Sequence, residues 1–522
     1  MDSTKDAYAF SAEGKDSDTA AVSTITGSGV YNIVGDIRAA DGGILTLYLA
    51  EGSRFEGKAV LDSGNDSQST LTIAKNSLWT LTGNSQLNSL QNEQSVIDMT
   101  GDNKAFSTLS VETLTGNGGT IIMDIDGSQV DASDKIYVTG DFSGSQTLSL
   151  KEINGLDSDP GIGQAAENTV LASVNGSGTF TADDQEGTLY WQRYELGQKD
   201  SAASGYTTDW YLKGITNLNL PTTSVEAIAA SGALAYHTWR DHDQLLQRLG
   251  DLRQHGREEE GVWVRVKGGK LSRSDQFEFE NKYTQYELGY DQKLKSTPAY
   301  TRYAGISFSY LDGDSSYSSG SGENKVKALN IYGTQIGAKG HYLDLVLKYS
   351  QLDNDFKVFD TSGNKITGDY DQNSLSISAE YGRKNNLKNN WYIEPQAQLT
   401  FGRLRGTDYT TSNGIRVDQD GIDSFVGRIG FNIGKDINEK TNIYLKANLM
   451  HEFGGGYNAS MVDASGTKAR LDRDFDDTWF EYGLGAAVQT GKNNYFYVDV
   501  ERSAGSDYKK DWQWNVGARW SF

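Results

Sequence analysis

The side chains this chain lacks are the first limit on its chemistry. No cysteine occurs among 522 residues, and the five histidines are His237, His242, His255, His341 and His451. Residues 1–220 therefore hold neither a Ser-His-Asp nor a Cys-His nucleophilic site, and zinc has none of its usual nitrogen or sulfur ligands there. The fragment Asp62-Ser-Gly64 sets a serine beside an acid but has no preceding glycine and no base. Asp124-Ile-Asp126 and Asp131-x-x-Asp134 offer calcium-type oxygen ligands, although turn formation is the favoured reading of such short Asp runs. Paired carboxylates could cleave a polysaccharide, yet acids are so frequent that no pair stands out. No GxxxxGK[ST] phosphate loop occurs. No catalytic residue, metal site or cofactor is expected.

The elements that carry these residues are mostly strands. There are 59 Gly, 29 Tyr and 10 Trp but only 4 Pro, a balance that suits long paired strands because Pro cannot donate to a sheet ladder. Mean hydropathy is −0.57, too polar for a helical membrane protein, and no run of 18 apolar residues appears. A membrane barrel stays compatible with this, since its strands alternate between lipid and lumen. Residues 1–220 carry 30 Asp/Glu against 12 Lys/Arg, most of the chain's net charge of −22. Such an acidic front half repels phosphates, so nucleic acid is excluded as a partner. The opening MDSTKDAYAF has neither the basic nor the apolar region of an export signal; with an exported barrel behind it, a mature or truncated form is expected.

From Gly261 onward twelve alternating segments follow, at about 261–270, 283–294, 300–311, 325–339, 341–351, 371–384, 390–402, 420–435, 441–454, 477–490, 493–503 and 511–522. In the last, Trp512, Trp514, Val516, Ala518, Trp520 and Phe522 share one face, and Gln513, Asn515, Gly517, Arg519 and Ser521 the other. Aromatics at both ends of the apolar face fit two interfacial girdles. Connections after even segments are short and those after odd ones mostly long and polar, such as 312–324 and 455–476. Outer-membrane barrels sort their loops this way, and soluble sandwiches have no reason to.

Between the halves, residues 221–253 are rich in Ala and Leu and open with Pro221 and a capping box, Thr223-x-x-Glu226. A helix over about 223–253 is expected, reaching roughly 45 Å. Arg240, Asp241, His242 and Asp243 make it too polar for lipid, so it belongs in the barrel lumen, with Trp263, Arg265, Lys267 and Arg248 among the pore-lining and linker residues. Upstream, residues 25–150 show short Val/Ile/Leu/Thr strands between Gly, Asn and Asp at irregular spacings near 20, which suits a right-handed parallel β-helix. Trp191, Tyr194, Trp210 and Tyr211 would close its C-terminal end.

These residues resemble the autotransporter family over about 221–522. The first-strand run Gly261-Val-Trp263-Val-Arg265-Val-Lys-Gly268-Gly269 is similar to the family's, and the end carrying Trp512, Trp514, Val516, Trp520 and Phe522 resembles its barrel-assembly signal. Upstream, Leu78-Trp79-Thr-Leu-Thr-Gly83, Phe106–Leu114, Gly116-Asn-Gly-Gly119, Thr120–Ile125, Asp134–Gly140 and Asp209-Trp210-Tyr211-Leu212 are similar to pertactin-type passengers. The resemblance makes about 77–215 a junction region, its distal 120–215 autochaperone-like. Some members release the passenger by cyclising an Asn inside the pore. Here Arg248-Leu-Gly-Asp251-Leu-Arg253 resembles the end of that motif, but Asp243 and Gln244 stand at the two Asn positions. A carboxylate is a poor electrophile at neutral pH, so an uncleaved passenger is expected, with Asp243 and Gln244 the candidate junction.

The expected chain is thus all-β: a right-handed parallel β-helix passenger at 1–215, a pore-spanning helix within 221–256, and a 12-stranded antiparallel transmembrane β-barrel at 261–522. The resemblance implies an outer-membrane protein that exposes its own passenger at the cell surface, with an adhesin-type role and no enzyme activity. Its implied partners are outer-membrane lipid, the barrel-assembly machinery, periplasmic chaperones and a host or bacterial surface ligand. A porin-like barrel with an extracellular domain, and a passenger from a β-helical polysaccharide-acting enzyme, remain alternatives.

Overall fold

The computed structural model describes residues 8–15, 20–62, 66–101, 105–153, 166–240, 244–249, 260–491 and 493–522. The chain forms two compact units, Met1–Leu220 with Ser465–Thr467, and Pro221–Ala464 with Lys468–Phe522.

The first unit is a parallel β-solenoid of about six turns. Strands Ile44–Leu49, Gln68–Ile73, Ser85–Asn92, Thr108–Thr115 and Lys135–Phe142 stack in sequence order along one wall. Parallel pairing at fixed register piles like residues on like. Leu47, Leu71, Leu90, Leu114 and Phe142 form one inward column. Ile33, Phe55, Trp79, Ile97, Ile121 and Leu148 form another on the second wall. All are buried in one continuous core, in which Trp79 stacks on Phe55 at 5.6 Å. Spacing is irregular, as the sequence suggests, and it widens along the solenoid. Ile97 follows its partner Trp79 by 18 residues, whereas Ala182 follows Leu148 by 34, because later turns carry longer excursions. At Gly116 (φ +109°) a Cβ would meet the Asn92 carbonyl at 2.2 Å, so this corner requires glycine. On the first wall the last parallel strand, Val170–Gly176, pairs antiparallel with Thr208–Pro221, and Tyr190–Asp200 lies beside that strand. This covers the edge that parallel stacking leaves open.

In the second unit, among the described residues, twelve long strands close into an antiparallel barrel. They are β1 Glu260–Arg273, β2 Phe279–Ser296, β3 Tyr300–Tyr317, β4 Gly320–Gly337, β5 His341–Phe359, β6 Lys365–Arg383, β7 Trp391–Leu404, β8 Ile422–Asn438, β9 Thr441–Glu452, β10 Thr478–Gln489, β11 Asn494–Ala504 and β12 Tyr508–Ser521. β1 pairs with β12 from Gly261↔Ser521 to Arg273↔Tyr508, so the barrel has no free edge. Leu343, Leu345, Leu347 and Tyr349 point outward and are exposed, while Asp344 faces in and is buried. Six inward aromatics each cover a glycine of a neighbouring strand: Trp263 on Gly289, Tyr332 on Gly305, Tyr342 on Gly382, Tyr392 on Gly434, Tyr444 on Gly485 and Tyr497 on Gly517. A Cβ at any of these glycines would lie 2.0–2.5 Å from the aromatic side chain.

The long outer connections differ from expectation. β2 to β6 run 18 or 19 residues, against the roughly 9–11 a tilted membrane strand needs. The polar stretch 312–324 is therefore mostly ladder, with a turn only at 318–319. Pairing continues past the bilayer because backbone groups are satisfied there as well as by water. Two other connections supply Thr407–Thr410, Arg416–Gln419, Gly456–Val462 and Lys468–Asp474, a four-stranded antiparallel sheet.

Candidate functional site

Helix α1, Thr223–Arg240, fills the barrel interior, and a second short helix, α2, spans Leu245–Leu249. The sequence led us to expect one continuous helix to 253. Instead Gln244 is non-helical and caps α2: its carbonyl accepts from the Gln247 and Arg248 amides, while the Gln247 side chain accepts from its N–H at 3.2 Å. That pair starts α2 afresh at Gln244. The α1 cap also shifts by one residue, because Thr222 Oγ1, not Thr223, accepts from the Val225 amide at 3.4 Å. No helix among the described residues is long and apolar enough to cross a membrane. Asp241, His242 and Asp243 lie outside the described residues.

Almost every α1 side chain is buried, since the wall surrounds it. At its first turns Ser224 bonds Asn413 at 2.9 Å and Ser231 bonds Tyr370 at 2.8 Å. Gly232 faces Tyr457, whose ring would lie 2.6 Å from a Cβ there. Lower down, Tyr236 donates to Glu452 at 2.6 Å, and His237 stacks on Tyr508 at 4.3 Å while meeting Arg273 at 2.9 Å. The Arg240 guanidinium lies 4.5 Å from the Trp479 ring centre and 3.8 Å from Glu452. Of the expected pore-lining residues, Trp263, Arg265, Lys267, Arg240 and Arg248 are all buried in the lumen.

α2 is held by polar contacts from five strands. Leu245 donates its amide to Glu380 at 2.8 Å, Arg248 pairs with Asp344 at 2.7 Å, and the Gln247 amide reaches Glu501 at 2.8 Å. The Gln247 carbonyl accepts from Arg265 on β1 at 3.1 Å and Asn515 on β12 at 3.0 Å, so one oxygen ties the two strands that meet at the seam. Tyr497 donates to the Arg248 carbonyl at 2.8 Å. Around this, Arg519 forks onto Asp291 at 2.6 Å, Arg265 pairs with Glu287, and Lys446 meets Asp499 and Glu501 at 2.7 and 2.6 Å. Charges buried here are paired and hydrogen-bonded, the condition for tolerating them out of water. Sequence reasoning missed Glu380, Glu501 and Tyr497 as holders of the linker. Each sits on the polar face of an alternating strand, but its partner is 135 to 254 residues away.

Elsewhere the expected residues are dispersed. Trp512, Trp520 and Phe522 project outward and exposed, with Val516 between the aromatics. In the solenoid cap, Trp210 and Tyr194 are buried, Trp210 edge-on to Phe180 at 5.6 Å. Trp191 and Tyr211 are half-buried, and Lys199 lies over Tyr211 at 5.0 Å. No His, Asp and Glu cluster suited to a metal occurs among the described residues. Asp134 instead accepts from the Ser107 and Asp124 amides at 2.6 and 2.7 Å, fixing a turn, and burial pushes its carboxyl up to about 7.

A closed twelve-stranded barrel with lipid-ready outer walls and its own upstream chain in the lumen defines an outer-membrane translocator-type protein. The autotransporter β-domain family matches residues 262–501, and the pertactin family matches residues 87–214. A probable autotransporter of Escherichia coli K12, YcgV, is 28% identical, covering 96% of this chain and 55% of its own length. The pertactin autotransporter of Bordetella bronchiseptica is 28% identical, covering 93% and 56%. The serine protease autotransporter Pet of Escherichia coli O44:H18 is 26% identical, covering 87% and 34%. Residues 262–501 are thus an autotransporter β-domain, and the chain is an outer-membrane protein with a β-helical passenger exposed at the cell surface. It spans about half the length of the first two of these relatives.

Proposed function

We propose that the barrel supports export of its own passenger and then holds it at the surface uncleaved, as an adhesin-type anchor rather than an enzyme. The observation that carries this reading is the linker inside the lumen, packed on every side by α1 and α2 contacts. A segment so enclosed restores the permeability barrier once transport ends. Stepwise burial of stacked solenoid turns would bias movement outward without nucleotide hydrolysis, and residues 120–215, with Trp191, Tyr194, Trp210 and Tyr211, would form the autochaperone that folds first. The outward aromatics of β12, with Phe522, would be read by the barrel-assembly machinery, with periplasmic chaperones keeping the chain open beforehand. A host or bacterial surface ligand is the passenger's partner in this reading.

Retention rather than release follows from the junction chemistry. Asp243 and Gln244 replace the two asparagines, and the Gln244 backbone is engaged as the α2 cap. Incubating folded full chain at neutral pH and weighing it is expected to return one intact mass; a clean cut between Asp243 and Gln244 would refute retention. On cells, external protease is expected to remove the passenger and leave the barrel. Planar-bilayer conductance should be small for the full chain and rise when residues 223–249 are deleted. Equal conductance of the two would favour an open porin instead. Because named serine proteases are among the relatives, catalysis by this chain is tested separately, by peptide hydrolysis with purified protein, and none is expected.

A further inference from the structure

The outer wall of β8 to β12 is not evenly covered. Ala447 on β9 faces outward between Phe431 and Tyr482, and Ala486 on β10 faces outward between Ile443 and Val498, so each leaves a gap between larger side chains. Above this low floor lie two contiguous grooves of about 630 and 370 Å3, which share Ile433, Leu445, Leu484 and Val500. At the upper end of the larger groove stands Arg502, outward-facing and exposed. Its β10 neighbour is Tyr482, and Trp512 flanks it on β12. Among the described residues Arg502 has no hydrogen-bond or ion-pair partner, and the same holds for exposed Lys509 on β12. By contrast Lys270, the register partner of Trp512 on β1, is already paired with Glu280 at 2.6 Å.

The depth of Arg502 follows from strand geometry. Short turns mark the periplasmic side, so β11 rises from Asn494 to the outer surface. Eight residues at about 3.4 Å each, tilted about 40°, lift Arg502 roughly 20 Å, close to the top of an apolar band of about 25 Å. A cation there meets headgroups, while the groove below it meets acyl chains.

We propose that this groove binds a phosphorylated, multiply acylated lipid of the outer leaflet, of the lipid A class, with Arg502 pairing with a phosphate and the chains lying over Ala447 and Ala486. Guanidinium groups suit phosphate because their planar N–H donors match its oxygens. The aromatic flanks Trp512 and Tyr482 place the headgroup at the interface, and Lys509 adds a second cation for a second phosphate.

The full chain, purified in detergent, is incubated with lipid A, dephosphorylated lipid A or phosphatidylglycerol, and bound lipid is counted by native mass spectrometry. Lipid A should be retained at least 5-fold more than either control. Arg502→Gln should bring it down to the dephosphorylated level, Arg502→Lys should keep part of the binding, and Ala447→Trp should reduce it with Arg502 intact. Arg502 is exposed and has no partner among the described residues, so its replacement leaves the barrel folded, as unchanged heat-dependent gel migration will verify. Wild-type retention by Arg502→Gln, equal retention of phosphatidylglycerol, or a dimer abolished by Ala447→Trp would each overturn the proposal.

Discussion

At Gly485 the inward Tyr444 side chain comes within 2.3 Å of where a Cβ would stand. The same relation recurs at five other strands, which explains part of the glycine content: the ring occupies the space a side chain would need. Gly485→Ala is expected to cost about 1–3 kcal/mol by overpacking, read as a lower temperature for the heat-dependent shift in gel migration. Asp134 gives a pH dependence instead. Its folded pKa of about 7 lies above the ordinary 3.8 because burial disfavours the charge. The folded passenger therefore keeps a proton that the unfolded chain releases between about pH 4 and 7, and stability falls as pH rises through that window. Denaturant unfolding of the passenger, followed by protease resistance on the full chain, should show a lower midpoint at pH 8 than at pH 5. Asp134→Asn should flatten that slope.

Among the elements, the linker shows why helix propensity alone overshoots. The run through 253 is rich in helix formers, yet Gln244 and Gln247 offer each other a cap, and Glu380 takes the Leu245 amide, so the chain restarts as a separate turn. Asp344→Leu should leave Arg248 buried without its carboxylate and cost about 3–5 kcal/mol, whereas Arg248→Met with Asp344→Leu should recover most of it. Planar-bilayer conductance checks this: bursts of opening in the single variant and quiet traces in the double one. The solenoid cap is a second test. Trp210→Ala removes the edge contact to Phe180 and opens the last turn, with an expected loss of about 3–5 kcal/mol. The passenger should reach the surface but be degraded by external protease faster than the unaltered form. Trp191 and Tyr211 are half-buried at the cap surface, whereas Tyr194 and Trp210 are buried.

For the whole molecule, the outward row of each barrel strand is apolar and exposed, as at Leu445, Leu484 and Phe431. Such a surface requires lipid or detergent. Removing detergent from the purified chain should cause aggregation, checked by light scattering; a monodisperse sample in plain buffer would contradict the membrane assignment. Apolar and polar alternation placed twelve strands, but residues 312–317 and 320–324 belong to the ladder as well. Sequence polarity marks where the membrane ends, and pairing does not have to stop there.

Periodicity of two, inward polar positions and the column of Ile, Leu and aromatic residues in the solenoid were fixed by side-chain type, so the strands, their faces and the two-part architecture were readable residue by residue. Which lumen charge meets which was not. The pairing of Arg248 with Asp344 and of Gln247 with both Arg265 and Asn515 depends on register summed around a closed barrel. Distances across that closure are set by no local run of residues, and only the folded chain brings its first and last strands to the same carbonyl.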